Sequence, residues 1–173
     1  MSSIKKASLQ DASAIDQLVN GAYRGDSSRK GWTTEADLLD GTRTDVDAIK
    51  ELIQKENTIV LKYEEDNQII GCVELRKEGD QLYLGMLSVQ PDIQGKGIGK
   101  KLLAAGEEEA RKMKCTSVFM TVITVRKELI DWYVRHGYID TGQRKPFAFT
   151  DSRFGQAKTK LEFMVLEKII DRG

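Results

Sequence analysis

The spacing of apolar positions changes several times along the chain, and each change marks an element. An extended run from Ile4 reaches Ser8, and Ser8 with Asp11 three residues on has the form of a capping-box helix start. Ala12, Ile15, Leu18, Val19 and Ala22 then recur at helical spacing. Residues 25–42 form a long polar connection rich in Gly, Ser, Thr and Asp, broken by Trp32 and by Leu38 and Leu39. Such length in a compact domain points to a functional loop or a short extra helix. Thr44–Asp47 caps a second helix carrying Val46, Ile49, Leu52 and Ile53. Three strands follow, near 58–63, 68–76 and 81–89, with turns at Asp66-Asn67 and Glu78-Gly79-Asp80. They predict an antiparallel meander.

After Pro91 the period becomes helical again. A glycine-rich turn leads into a helix marked by Ile98, Leu102, Leu103, Ala105 and Met113. A strand over 117–122, a helix over about 126–136 and two late strands near 138–143 and 161–167 complete the chain. The expectation is a single α+β (mixed α/β) domain over residues 1–173, a central mixed, mostly antiparallel sheet flanked by helices. No internal repeat or low-complexity block interrupts it.

Composition narrows the chemistry. The 173 residues carry 27 Lys+Arg and 27 Asp+Glu, without the basic excess that a nucleic-acid or anionic-lipid binder normally shows. One His and two Cys cannot fill a four-ligand Cys/His zinc site, and no metal centre is expected. Any imidazole base would have to be His136, which precedes Gly137 and reads better as the end of a helix. No segment is apolar over a bilayer-spanning length, and no signal-peptide core follows the N-terminus. Cys72 and Cys115 lie in apolar strand-like contexts, where a small buried thiol is the ordinary reading. A reduced, cytoplasmic-type compartment without membrane partners is expected.

The chemistry concentrates in Gln94-Gly95-Lys96-Gly97-Ile98-Gly99-Lys100-Lys101. Three glycines in five residues let the backbone approach a ligand closely. The turn opens into a helix N-terminus, where amides and the helix dipole favour an anion, and its lysines add charge. Phosphate is the natural occupant. A P-loop is excluded, because Lys100 is followed by Lys101 and Gln94 stands five residues before Gly99. The dinucleotide fingerprint fails because its third glycine position is Lys100.

On these residues the chain resembles the GNAT superfamily of acyl-CoA-dependent N-acetyltransferases. The signature Gln/Arg-x-x-Gly-x-Gly/Ala is matched by Gln94 to Gly99, and Leu87-Ser88-Val89-Gln90-Pro91 is similar to the family's lead-in strand. Trp132-Tyr133-Val134-Arg135-His136-Gly137-Tyr138 is similar to its second signature. The resemblance covers nearly the whole chain and is weakest over 25–42. It implies acetyl-CoA as co-substrate, with the backbone amides from Gly95 through Lys100 (Gly95, Lys96, Gly97, Ile98, Gly99 and Lys100) on the coenzyme A pyrophosphate, and Gln94 opening that motif. It places Leu87 and Val89 along the pantetheine and the thioester carbonyl, where positioned backbone donors favour a developing oxyanion. Tyr133 falls at the general acid that protonates the leaving thiolate, and a phenol needs no shifted pKa for that task. Where the family often has Asn beside the cofactor arm, this chain has Arg126.

The implied reaction is direct acetyl transfer to a primary amine, on a small molecule or a peptide, without an acyl-enzyme. The sequence does not single out a general base. Glu74 on the strand beside the cofactor strand and Glu35 in the long loop are each expected to be surface carboxylates. Tyr23, Trp32, Glu35 and Glu74 are the candidates for the acceptor side. Residues 35–56 hold seven acids against three bases, which suits a cationic amine and equally a solvated helix face. A non-catalytic acyl-CoA-binding sensor on the same fold is the alternative, a nucleic-acid partner is disfavoured by the charge balance, and a homodimer is left open.

Overall fold

The computed structural model describes residues 2–23, 39–40, 45–93, 96–146, 156–157 and 162–170. Strand β1 (Ser2–Lys6) leads through a 3-10 turn (Leu9–Asp11) into helix α1 (Ala12–Tyr23). The capping box forms there, with Ser8 N–H donating to Asp11 Oδ2 at 2.8 Å. The two-residue strand β2 (Leu39–Asp40) precedes helix α2 (Val46–Gln54), whose cap is Asp45, accepting from Ala48 N–H at 2.8 Å. Strands β3 (Thr58–Glu65), β4 (Gln68–Glu78) and β5 (Gln81–Val89) form the antiparallel meander. Asp66 and Asn67 both take positive φ, 53° and 66°, as a tight two-residue hairpin turn requires.

Helix α3 (Ile98–Lys112), strand β6 (Ser117–Ile123), helix α4 (Lys127–Arg135), strand β7 (Ile139–Pro146), strand β8 (Gln156–Ala157) and strand β9 (Glu162–Ile169) follow. Seven strands form one sheet in the order β1-β3-β4-β5-β6-β9-β7, and β2 pairs separately with β8. Every ladder in the large sheet is antiparallel except β5–β6. The fold is the expected α+β class. The insertion of β9 between β6 and β7 is a long-range pairing that no local pattern announces.

Two apolar clusters cover the two faces of the sheet. Ile15, Val19 and Ile49 of α1 and α2 pack with Val60, Cys72 and Met86 on one face. On the other, Leu102 and Leu103 of α3 and Leu129 and Tyr133 of α4 pack with the strands. Their partners there are Val73 and Leu75 of β4, Leu84 and Leu87 of β5, and Val118 and Met120 of β6. Alternation alone would put Leu84 and Leu87 on opposite faces of β5. They share one because β5 bulges: between Cys72↔Ser88 and Glu74↔Gly85 it carries two residues against one on β4. Met86 sits at the bulge with φ 54°, and its carbonyl accepts from Ser88 Oγ at 3.1 Å and from Cys72 Sγ at 3.9 Å. Both cysteines are buried, and neither forms a disulfide.

Candidate functional site

The parallel ladder between β5 and β6 pairs only Gln81–Tyr83 with Ser117–Phe119. Beyond it the strands run on to Val89 and Ile123 outside that ladder, so the sheet opens as a seam at the bulge. The closed end is fastened by side chains. Gln81 Nε2 donates to Glu167 Oε2 at 2.6 Å and to Ser117 Oγ at 3.1 Å, and Ser117 Oγ donates to the same carboxylate oxygen at 2.7 Å. Leu87 and Val89 lie on the open side, both buried.

Helix α3 begins at the mouth of this seam. Its N-cap, Gly97, has φ 81°, and among the described residues no heavy atom beyond its own chain neighbours lies within 4 Å of where a Cβ would stand. Glycine is needed there for the backbone turn, and the space above it is open. Lys101 N–H bonds the Gly97 carbonyl at 3.1 Å. The amides of Ile98, Gly99 and Lys100 therefore precede the helix's own ladder and face its N-terminal end. Lys96 and Lys100 are exposed beside them. Lys101 turns away, its Nζ 5.9 Å from the Tyr63 ring centroid. Amides at a helix N-terminus with two lysines beside them have the chemistry that suits an anion such as a phosphate group. Gln94 and Gly95 lie outside the described residues.

The helix can seat this low because β4 has Gly71 beneath it. A Cβ at Gly71 would come within 2.9 Å of Leu102 Cδ1 and 3.2 Å of Ile98 Cγ2. At Gly99 three segments converge: a Cβ there would stand 3.5 Å from the Trp132 ring and 3.9 Å from Val89 Cγ2. The end of β5, the first turn of α3 and the middle of α4 thus meet at one residue.

Tyr133 is the neighbour of that tryptophan, 5% exposed, with ring centroids 5.1 Å apart. Helix α4 ends in a Schellman closure just past it. Tyr138 N–H bonds the Tyr133 carbonyl at 3.1 Å, Gly137 N–H bonds the Val134 carbonyl at 3.0 Å, and Gly137 has φ 98°. His136 is the C-cap, as expected, its Nδ1 2.7 Å from the Trp132 carbonyl. Arg126 is the N-cap of α4 and is 9% exposed.

Glu74 corrects one expectation. It is 7% exposed, not a surface carboxylate, because its strand is central and its neighbours are Val60 and Gly85 across the ladders. It lies on the α1/α2 face, with Arg76 Nη1 3.4 Å from Oε2, and Arg76 in turn sits 4.6 Å over the Tyr83 ring. On the same side, burial and then the nearby Asp45 charge hold the Asp16 carboxyl above its usual range. Tyr23 ends α1, and its side chain lies outside the described residues, as do Trp32 and Glu35. Sequence reasoning missed Glu107 and Lys168. Glu107 Oε2 accepts from Tyr138 OH at 2.9 Å and Oε1 accepts from Lys168 Nζ at 3.1 Å. Only the apolar stripe around Glu107 in α3 hinted at its burial. Among the described residues, no group of three or more His, Cys, Asp and Glu could hold a metal ion, and no helix is long and apolar enough to cross a membrane.

A family model for the acetyltransferase (GNAT) family matches residues 17–138. An acetyltransferase of Agrobacterium fabrum is 33% identical over 98 residues, which are 57% of this chain and 66% of that protein. The match thus spans just under two thirds of that relative. The ribosomal-protein-S18-alanine N-acetyltransferase of Escherichia coli superposes with TM-score 0.73 at 14% identity, covering 99% of this chain and 95% of that one. PaiA N-acetyltransferase from Thermoplasma acidophilum, solved with coenzyme A, gives 0.69 at 17% identity over 98% and 99% of the two chains. For yncA from Salmonella typhimurium, solved with acetyl-CoA, the values are 0.68 and 23% over 99% and 95%. At these identities the structural likeness speaks for the fold.

Proposed function

Because the chain belongs to the acetyltransferase (GNAT) family, we propose that it transfers an acetyl group from acetyl-CoA to a primary amine by direct attack. The observation that carries this reading is the convergence at Gly99 of the β5 end, the phosphate-suited turn of α3 and the helix bearing Tyr133. The amides at the start of α3, with Lys96 and Lys100, bind the pyrophosphate of coenzyme A. Its pantetheine arm lies in the seam along Leu87 and Val89, with Arg126 at the head of α4 as a further contact. Acetyl-CoA supplies an activated thioester carbonyl.

The amine enters from the α1/α2 face and attacks that carbonyl. A C–N bond forms, the C–S bond breaks, and Tyr133 gives its proton to the departing thiolate. Glu74 is the carboxylate on the acceptor face, suited to an ammonium group and to the proton it sheds. Tyr23, Trp32 and Glu35 complete the acceptor side. Small-molecule and peptide amines both fit this scheme, and two buried thiols outside any disulfide suit a reduced cytoplasm.

The test is coenzyme A thiol release from acetyl-CoA against a panel of amines: a polyamine, free amino acids, an aminoglycoside and a peptide with a free N-terminus. With the amine that turns over, Tyr133→Phe is expected to lower kcat by roughly a hundredfold while the KM for acetyl-CoA stays close to wild type. Unchanged turnover removes Tyr133 from the mechanism. Tight coenzyme A binding with no product from any amine favours a binding module instead.

A further inference from the structure

Glu107 is a carboxylate buried in the middle of α3, where a charge is costly unless both oxygens are satisfied. It lies nine residues beyond Ile98, about 13 Å along the helix. It is therefore too far from the α3 turn to touch a phosphate there. Its two oxygens are taken by the α4–β7 connection and by β9. Tyr138, 1% exposed, donates to Oε2 at 2.9 Å, and Lys168 on β9 donates to Oε1 at 3.1 Å. Lys168 Nζ also stands 5.8 Å from the Tyr138 ring centroid, so the ammonium steadies both partners.

Tyr138 is bound as closely to Tyr133. Its N–H holds the Tyr133 carbonyl at 3.1 Å, and the two rings pack edge to face with centroids 5.9 Å apart. The path from α3 to Tyr133 therefore runs through one buried side-chain hydrogen bond and one helix-end closure. We propose that Tyr138, held by Glu107 and Lys168, is a positioning residue: it fixes the Tyr133 phenol relative to the turn at the start of α3. This rests on the reading of Tyr133 as the acid, and it assigns a task to a buried polar triad that the reaction does not touch. Burial, then the Glu107 charge, push the Tyr138 phenol far above its ordinary pKa. It remains a hydrogen-bond donor at every physiological pH, as a fixed tether requires.

Fluorotyrosine-labelled protein, saturated with coenzyme A, tests the tether by fluorine NMR without any acceptor. The chain has five tyrosines, and the Tyr133 line is identified by its loss in Tyr133→Phe. Tyr138→Phe keeps the ring and the helix closure and removes only the hydroxyl. It is expected to move or broaden the Tyr133 line by more than its width, whereas Glu107→Gln, which retains an acceptor oxygen for the phenol, leaves it near its wild-type position. With the working amine, Tyr138→Phe lowers kcat roughly tenfold at unchanged KM for acetyl-CoA, and has no further effect in a Tyr133→Phe background. An unmoved Tyr133 line with only a lower melting temperature overturns the proposal, as does an effect on kcat that multiplies in the double variant. If Tyr133→Phe itself keeps full turnover, Tyr133 is not the acid, while the fluorine result still decides whether the tether exists.

Discussion

Asp11 carries two tasks with one carboxylate: it closes the capping box with Ser8 and takes Lys62 Nζ at 3.0 Å. Burial on its own would raise its pKa, but the Ser8 N–H and the Lys62 ammonium outweigh that and hold it below the usual carboxylate range. A depressed native pKa contributes stability that is complete above the unfolded value, near pH 4. That contribution is lost as pH falls through the native value. Removing the ammonium in Lys62→Met should flatten the fall of the melting temperature between about pH 4 and 2. Melting curves across that range check it, and equal acid slopes in the two proteins would reject the assignment. The bulge residue is the other informative position at this scale. Met86 adopts a φ that β-branched or bulky residues avoid, and nothing in its side chain marks it.

Among the elements, the two helices that frame the seam end in the same way. Helix α3 closes with Cys115 N–H on the Ala110 carbonyl at 2.9 Å and Lys114 N–H on the Arg111 carbonyl at 3.1 Å. This repeats the closure of α4, but the left-handed position is Lys114, with φ 62°, where α4 has Gly137. A side chain in that conformation is strained by roughly 1 kcal/mol relative to glycine. Lys114→Gly should therefore raise stability by about 0.5–1 kcal/mol. Urea denaturation reads this as a higher midpoint at unchanged slope, and a lower midpoint would mean that the Lys114 side chain contributes more than its strain costs. The element ends were legible from the chain because Ser8, Asp45, Pro91 and Gly137 act on their own backbone neighbours. The bulge in β5 was not, since it shows only in the pairing of β5 with β4.

For the whole molecule, the sheet is two halves joined by one short parallel ladder and a side-chain clasp. Glu167 receives both Gln81 and Ser117, so a single carboxylate links β5, β6 and β9 at the closed end. Glu167→Leu should cost about 1–3 kcal/mol, because two polar groups lose their charged acceptor. Coenzyme A affinity should change little, since the clasp lies at the opposite end of the seam from α3's first turn. Thermal melting and a coenzyme A titration separate the two effects. A large loss of affinity at small loss of stability would place the clasp in the binding site instead. The zero net charge of the chain conceals a local arrangement, with lysines at the α3 turn and buried or capping carboxylates on the opposite face of the sheet.

The sequence by itself determined the strands of the large sheet, the helices that cover it and the glycine-rich turn at the head of α3. Caps, turns and apolar periods depend on residues within a few positions of one another, and the α3 turn needs its glycines and amides in one short stretch. Tertiary structure alone decided what lies far apart in the chain: β9 between β6 and β7, the burial of Glu74, and the bond that joins Glu107 to Tyr138. Those features depend on which faces meet after folding. A carboxylate reads the same in the chain whether water or a tyrosine will satisfy it.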